Sequence, residues 1–214
     1  MESDWAREHL QTIRTLMERM AVYRRTLAPM TLTAGIFGVI AGALGWVLPV
    51  SGARAFVGYW LAVALLASVT ALLIVRRQAL RAHEPFWSPP TRRVGQAAAL
   101  PLFAGFAVGL GAWWHLSDGT GSAAAGGLAV PFWLPCLWIV LYGCAVHAAG
   151  FFMPRGIRLF GGILVVLGCL LYAFIRPDAP DPRLSHTVMA GCFGGLHLAY
   201  GLYLRFTEPR ESAA

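Results

Sequence analysis

The sequence predicts an all-α, polytopic membrane protein: six transmembrane helices forming three tandem helical hairpins, preceded by an amphipathic interfacial helix. Six apolar stretches, at about residues 28–48, 55–75, 97–116, 130–152, 159–175 and 187–204, contain no Asp, Glu, Lys or Arg. Each approaches the ~20 residues that cross ~30 Å of hydrocarbon as a helix. The connections hold nearly all the charge of a chain that is 57% hydrophobic and only 13% charged. The 214 residues divide into an N-terminal segment (1–27), a transmembrane domain (28–206) and a tail (207–214), with no length left for a soluble catalytic domain.

In the N-terminal segment Ala6, Leu10, Ile13, Met17 and Met20 recur at helical spacing, and Trp5, Leu16 and Tyr23 widen the same face. Arg7, Arg14, Glu18 and Arg25 fall opposite. The pattern predicts an amphipathic helix, capped by Ser3 or Asp4 and ended before Pro29, that lies on anionic headgroups or docks a partner. The first span carries Gly35, Gly38, Gly42 and Gly45 on one face, the third Gly105 and Gly109, and the fifth Gly161 and Gly168. Small residues let helix backbones approach closely where lipid supplies no hydrophobic drive, so these glycines are expected to pack helices, within the chain or between copies. A Gly near the start of each odd span, as in Thr33-Ala34-Gly35, Phe103-Ala104-Gly105 and Phe160-Gly161-Gly162, is what suggests three repeated hairpins.

The second connection, RRQALRAHEPFWSPPTRRVGQ (76–96), is expected to continue the second helix to about Ala82 and then to turn through Pro85, Pro89 and Pro90. Its Arg76, Arg77, Arg81, Arg92 and Arg93 flank Phe86 and Trp87, a combination suited to a lipid interface or an acidic partner. The Gly/Ala/Ser-rich connection 117–127 reads as a flexible outer loop.

All 17 basic residues are arginine, and the net charge is +7. They sit at helix ends rather than in one continuous stripe, which argues against nucleic acid. Fourteen fall on the side of the termini and three, Arg54, Arg176 and Arg183, on the other. Positive charge is enriched in cytoplasmic connections, so both termini are expected in the cytoplasm of a bacterial inner membrane, with the first span retained rather than cleaved as a signal peptide. The cysteines Cys136, Cys144, Cys169 and Cys192 lie in spans without a CxxC pair, and buried free thiols are expected.

No span holds an acidic residue, which disfavours an ion-coupled transporter. Span polarity comes instead from residues such as Thr31, Thr33, Ser68, Thr70, Tyr59, Tyr142, Tyr200, His115, His147 and His197. His147 and His197 lie about 7 Å and 12 Å from the inner face at the helical rise, similar depths that would let them meet and ligate a haem iron, or else hydrogen-bond to Tyr142, Tyr200 or a carbonyl. Cys144, one turn before His147, adds the idea of a soft-metal corner, but no full ligand set accompanies it. His115 and His186, near outer helix ends, are placed to titrate with external pH. His83-Glu84 is not followed by an HExxH pattern, and neither G-x-S-x-G nor a Walker A motif occurs.

The run AGIFGVIAGALGWVLP, followed by a second apolar helix, resembles the repeating unit of HdeD-like membrane proteins, a six-helix family linked to acid resistance. The run EHLQTIRTLMERMAVYRRTLAP (8–29) resembles the start of an uncharacterised group of bacterial six-helix inner-membrane proteins, which implies no activity. The expectation is a non-enzymatic protein without a cofactor, working through anionic and other membrane lipids, a membrane partner or a second copy, with the first resemblance implying a role in envelope stress. A channel or carrier for a small or lipidic solute is the alternative, and a haem-binding redox protein a lesser one.

Overall fold

The computed structural model describes residues 27–48, 50, 52–81, 86–87, 89–116, 130–153, 155–174 and 182–207. The expected N-terminal amphipathic helix up to residue 26, the Gly/Ala/Ser-rich connection and the tail beyond Thr207 lie outside the described residues. Among the described residues every regular element is helical. In chain order these are α1 (Leu27–Val47), α2 (Ala53–Arg81), α3 (Pro89–His115), α4 (Val130–Ala149), a 3₁₀ turn (Gly150–Phe152), α5 (Arg155–Phe174), α6 (Pro182–Met189), a π-helical segment (Ala190–Gly195) and α7 (Leu196–Thr207). The last three run on as one span, Arg183–Thr207, so six helices are long and apolar enough to cross a membrane.

The glycines set how these helices meet. Along α1 a Cβ at Gly35 would stand 2.7 Å from the Leu198 nitrogen, and one at Gly38 would stand 2.5 Å from the Gly194 nitrogen. Side chains at Gly42 and Gly45 would run into Ala190 and the His186 ring. As α1 numbers rise those of its partner fall, so α1 and the sixth span are antiparallel and Leu27 and Thr207 lie on one side, here called the terminal side. The contact is mutual, since a Cβ at Gly201 would meet Leu32 at 2.8 Å and one at Gly194 the Val39 nitrogen at 2.7 Å.

A second seam joins α4 to α5. A Cβ at Gly143 would stand 2.8 Å from the Val165 nitrogen, one at Gly168 would stand 2.7 Å from Val140 Cγ2, and Gly161 abuts the His147 backbone. In α3, Gly109 makes room for the Trp138 indole, 2.7 Å from a Cβ built there, while Gly105 is looser at 3.6 Å and accepts through its carbonyl a hydrogen bond of 2.9 Å from Trp138 Nε1. The closest backbone approaches therefore fall between α4 and α5 and between the first span and the last. The whole glycine face of α1 is occupied by the protein's own sixth span, which removes that face from any contact between copies.

α4 touches α2, α3, α5 and α6 and is the central helix. Half of its most apolar stretch is buried, against 11% for α2 and for α3. Two apolar clusters fill the bundle. Ala41, Phe56, Val57, Trp60, Val130, Leu134 and Met189 pack at the far side, and Ile139, Phe160, Leu164 and Cys192 pack toward the terminal side. Outward-facing residues such as Leu65, Leu72, Phe103, Val166 and Phe206 stay exposed, an apolar surface that suits lipid rather than water.

The second connection differs from its expected form. The helix of α2 does end at Arg81, but Pro89 and Pro90 open α3 instead of extending the turn. Proline is tolerated in a first turn because the missing N–H would have no partner there. Arg92 and Arg93 consequently stand on a helix.

Leucine at position 38 is expected to destabilise the protein by about 1–3 kcal/mol or more, because the side chain must displace backbone. Leucine at Gly191, where nothing lies within 4 Å of a Cβ, is expected to change stability by no more than about 0.5 kcal/mol. Thermal unfolding in detergent, followed by helical circular dichroism, compares them; a Gly38→Leu protein as stable as the wild type would refute the close-contact account.

Candidate functional site

The polar chemistry of the bundle gathers on the sixth span, where two histidines are almost wholly buried: His186 is 1% and His197 2% exposed. Between them lies the π-helical segment AGCFGG, in which the Leu196 N–H bonds to the Gly191 carbonyl, five residues back. Such wide turns are rare and concentrate at functional sites. Here the segment also carries the close backbone contact of Gly194 with Gly38.

The Tyr142 hydroxyl lies 2.8 Å from His197 Nε2, while Nδ1 lies 3.3 Å from the Cys192 carbonyl oxygen. A carbonyl can only accept, so Nδ1 carries the proton and donates to it, and Nε2 accepts from the hydroxyl. Phe160 meets the ring edge-on with centroids 5.0 Å apart, and Phe193 stacks on it at 6.2 Å. Both ring nitrogens are thus engaged, and His197 could ligate iron only by giving up one of these bonds.

His147 stands elsewhere. Its Nδ1 lies 3.0 Å from the Arg158 carbonyl, which makes it a donor, and its ring meets Phe151 edge-on at 5.5 Å. Among the described residues the two histidines have different hydrogen-bond and ring partners, so they occupy separate surroundings rather than one shared site. Among the described residues no three His, Cys, Asp or Glu side chains are grouped to hold a metal ion, and Cys136, Cys144, Cys169 and Cys192 are free thiols.

From its position near an outer helix end His186 is expected to sense external pH, yet it is buried where three helices meet. Trp60 Nε1 donates to its Nδ1 at 3.1 Å. An indole N–H can only donate, which places the imidazole proton on Nε2. Among the described residues that buried N–H has no hydrogen-bond partner. Around the ring stand Phe56 at 5.0 Å, Tyr59 at 5.7 Å and Trp60 at 5.9 Å between centroids, a cage that offers at most a weak N–H to π contact. Tyr59 in turn donates through its hydroxyl to the Ala41 carbonyl on α1. Among the described residues the buried Tyr200 hydroxyl likewise has no hydrogen-bond partner; that ring stacks on Phe160 at 4.6 Å.

The threonine hydroxyls bond back to their own helices. Thr31 donates to the Leu27 carbonyl at 2.8 Å, Thr33 to Pro29 at 2.7 Å and Thr70 to Leu66 at 2.8 Å. The niche lined by Phe132, Pro135, Cys136, Leu171, Leu184, Ser185 and Val188 has space for about one water. At the far side Arg54 lies over the Trp113 ring at 4.5 Å and Arg183 over Trp46 at 5.7 Å. His115 is exposed at the end of α3. Arg76, Arg77, Arg81, Arg92 and Arg93 are exposed on the terminal side, as are Phe86 and Trp87, whose rings lie 6.2 Å apart. Sequence reasoning missed the Trp60–His186 bond and the π-helical segment; the Gly-rich run AGCFGG beside a histidine was the available signal.

Tyr142→Phe removes the donor to His197 and should cost about 1–3 kcal/mol, since it leaves a buried acceptor unpaired. Trp60→Phe should cost a similar amount through His186, whereas Trp60→Phe combined with His186→Phe should cost less than the sum of the single changes. A thermal-unfolding double-mutant cycle measures this, and strict additivity would contradict the pairing.

The sequence matches no protein-family model, and neither a curated protein nor a solved structure matches it.

Proposed function

We propose that this protein is a non-enzymatic component of a bacterial inner membrane, with both termini cytoplasmic, that works through its lipid- and partner-facing surfaces rather than by conducting a solute. The observation that carries this reading is the internal use of span polarity. The hydroxyls of Thr31, Thr33 and Thr70 bond within their own helices, His197 is closed by Tyr142 and Cys192, and glycine seams bring backbones into contact where a conduit would need polar lining. The orientation rests on arginine, fourteen on the terminal side against three on the far side. The resemblance of the first hairpin to HdeD-like proteins favours a role in envelope stress.

Proteoliposomes give the test. Release of entrapped ions and small fluorophores, and scrambling of labelled lipid between leaflets, are expected to match empty vesicles within error. Transport that rises with protein density and is altered by Tyr142→Phe would replace this reading with a channel or carrier.

A further inference from the structure

We propose that the terminal-side ends of α2 and α3 form a binding surface for anionic phospholipid headgroups. This deepens the surface-acting reading above by naming the partner, and it starts from helix length. α2 has 29 residues and α3 has 27, about 43 Å and 40 Å at the helical rise, against ~30 Å of hydrocarbon. The surplus falls on the terminal side, where Arg76, Arg77 and Arg81 follow the apolar run of α2 and Arg92 and Arg93 precede that of α3. Five cations are therefore carried on helical backbone at headgroup depth.

Their surroundings set them apart from three arginines elsewhere in the bundle. Arg54, Arg158 and Arg183 each lie over an aromatic ring, at 4.5, 5.1 and 5.7 Å. Among the described residues Arg76, Arg77, Arg81, Arg92 and Arg93 make no hydrogen bond, ion pair or ring contact, and all five are exposed. Arg92 and Arg93 also stand at the positive end of the α3 dipole, with no acidic residue in its first turn. That accumulation of positive charge is unfavourable until an anion arrives.

Lipid fits the surface better than an acidic protein because apolar groups share its level. Leu80 is 67% and Trp87 62% exposed, and the Trp87 ring reaches to within 3.8 Å of a Cβ built at Gly95. A membrane interface supplies phosphate for the guanidinium groups and acyl chain for these side chains together.

The test is native mass spectrometry of the full chain in neutral detergent, titrated with phosphatidylglycerol or phosphatidylcholine. The wild type is expected to retain phosphatidylglycerol at least about tenfold better and to release it as salt rises, each surface arginine being worth about fivefold. R76Q/R77Q/R81Q and R92Q/R93Q should each weaken retention, their combination should abolish the preference, and R205Q, also exposed on the terminal side, should not. Because all these side chains are exposed, unchanged thermal unfolding of the variants certifies their fold. Equal retention of both lipids by the wild type, or undiminished phosphatidylglycerol retention by the five-fold variant, overturns the proposal. So does an acidic polypeptide that co-isolates through these arginines while lipid retention is unaffected. Each such failure is distinct from failure of the surface-acting reading, which is decided by transport.

Discussion

Backbone-to-backbone contact between α1 and the sixth span is the constraint on which the rest of the structure depends. Lipid is as apolar as leucine, so two helices gain nothing by hiding leucine from it; they gain by fitting closely. Gly35, Gly38, Gly42 and Gly45 allow that fit over nearly the full length of α1, with Leu198, Gly194, Ala190 and His186 opposite. The contact joins the first span to the last, and α4 is held to α5 by an equivalent seam of Gly143 on α4 with Gly161 and Gly168 on α5.

Burying two histidines in such an interior is affordable only because each is given a partner and a tautomer. His197 donates to the Cys192 carbonyl and accepts from Tyr142, while His186 accepts from Trp60. These bonds tie α4 and α2 to the sixth span, so polar pairing adds direction to contacts that glycine packing alone leaves unoriented. The wide turn between the histidines serves the same end, because Cys192 lies five residues before His197 and its carbonyl reaches the imidazole across that interval. At His186 the arrangement is less complete, with one N–H left to an aromatic cage.

The outer surface divides by chemistry. On the far side Arg54 and Arg183 are settled on Trp113 and Trp46, and the Trp46 indole donates to Thr187 at 3.0 Å. On the terminal side the arginines of α2 and α3 have no such rings beneath them and project from helices that outrun the hydrocarbon. A cation stacked on an indole is already partly satisfied, whereas an unpartnered guanidinium keeps its full attraction for phosphate. The two ends of the bundle thus differ in how their arginines are accommodated as well as in charge.

By itself the sequence determined the number of spans and their places to within a few residues at most ends, because freedom from charge over about 20 residues is a local property that hydrocarbon enforces on each segment separately. It also marked Gly38, Gly42, Gly161 and their neighbours as sites of close approach, since a face of small residues is visible in spacing alone. What it left open was the identity of the partner: whether α1 would close on the sixth span or on a second copy, and whether His197 would turn to His147 or to Tyr142. The helical start at Pro89 and the π-helical turn after Met189 were hidden as well. The pairings depend on which backbones come together across 55 residues for Tyr142 and His197 and more than a hundred for α1 and the sixth span, and only the tertiary structure, by filling one side of each helix and leaving the other to lipid, decided them.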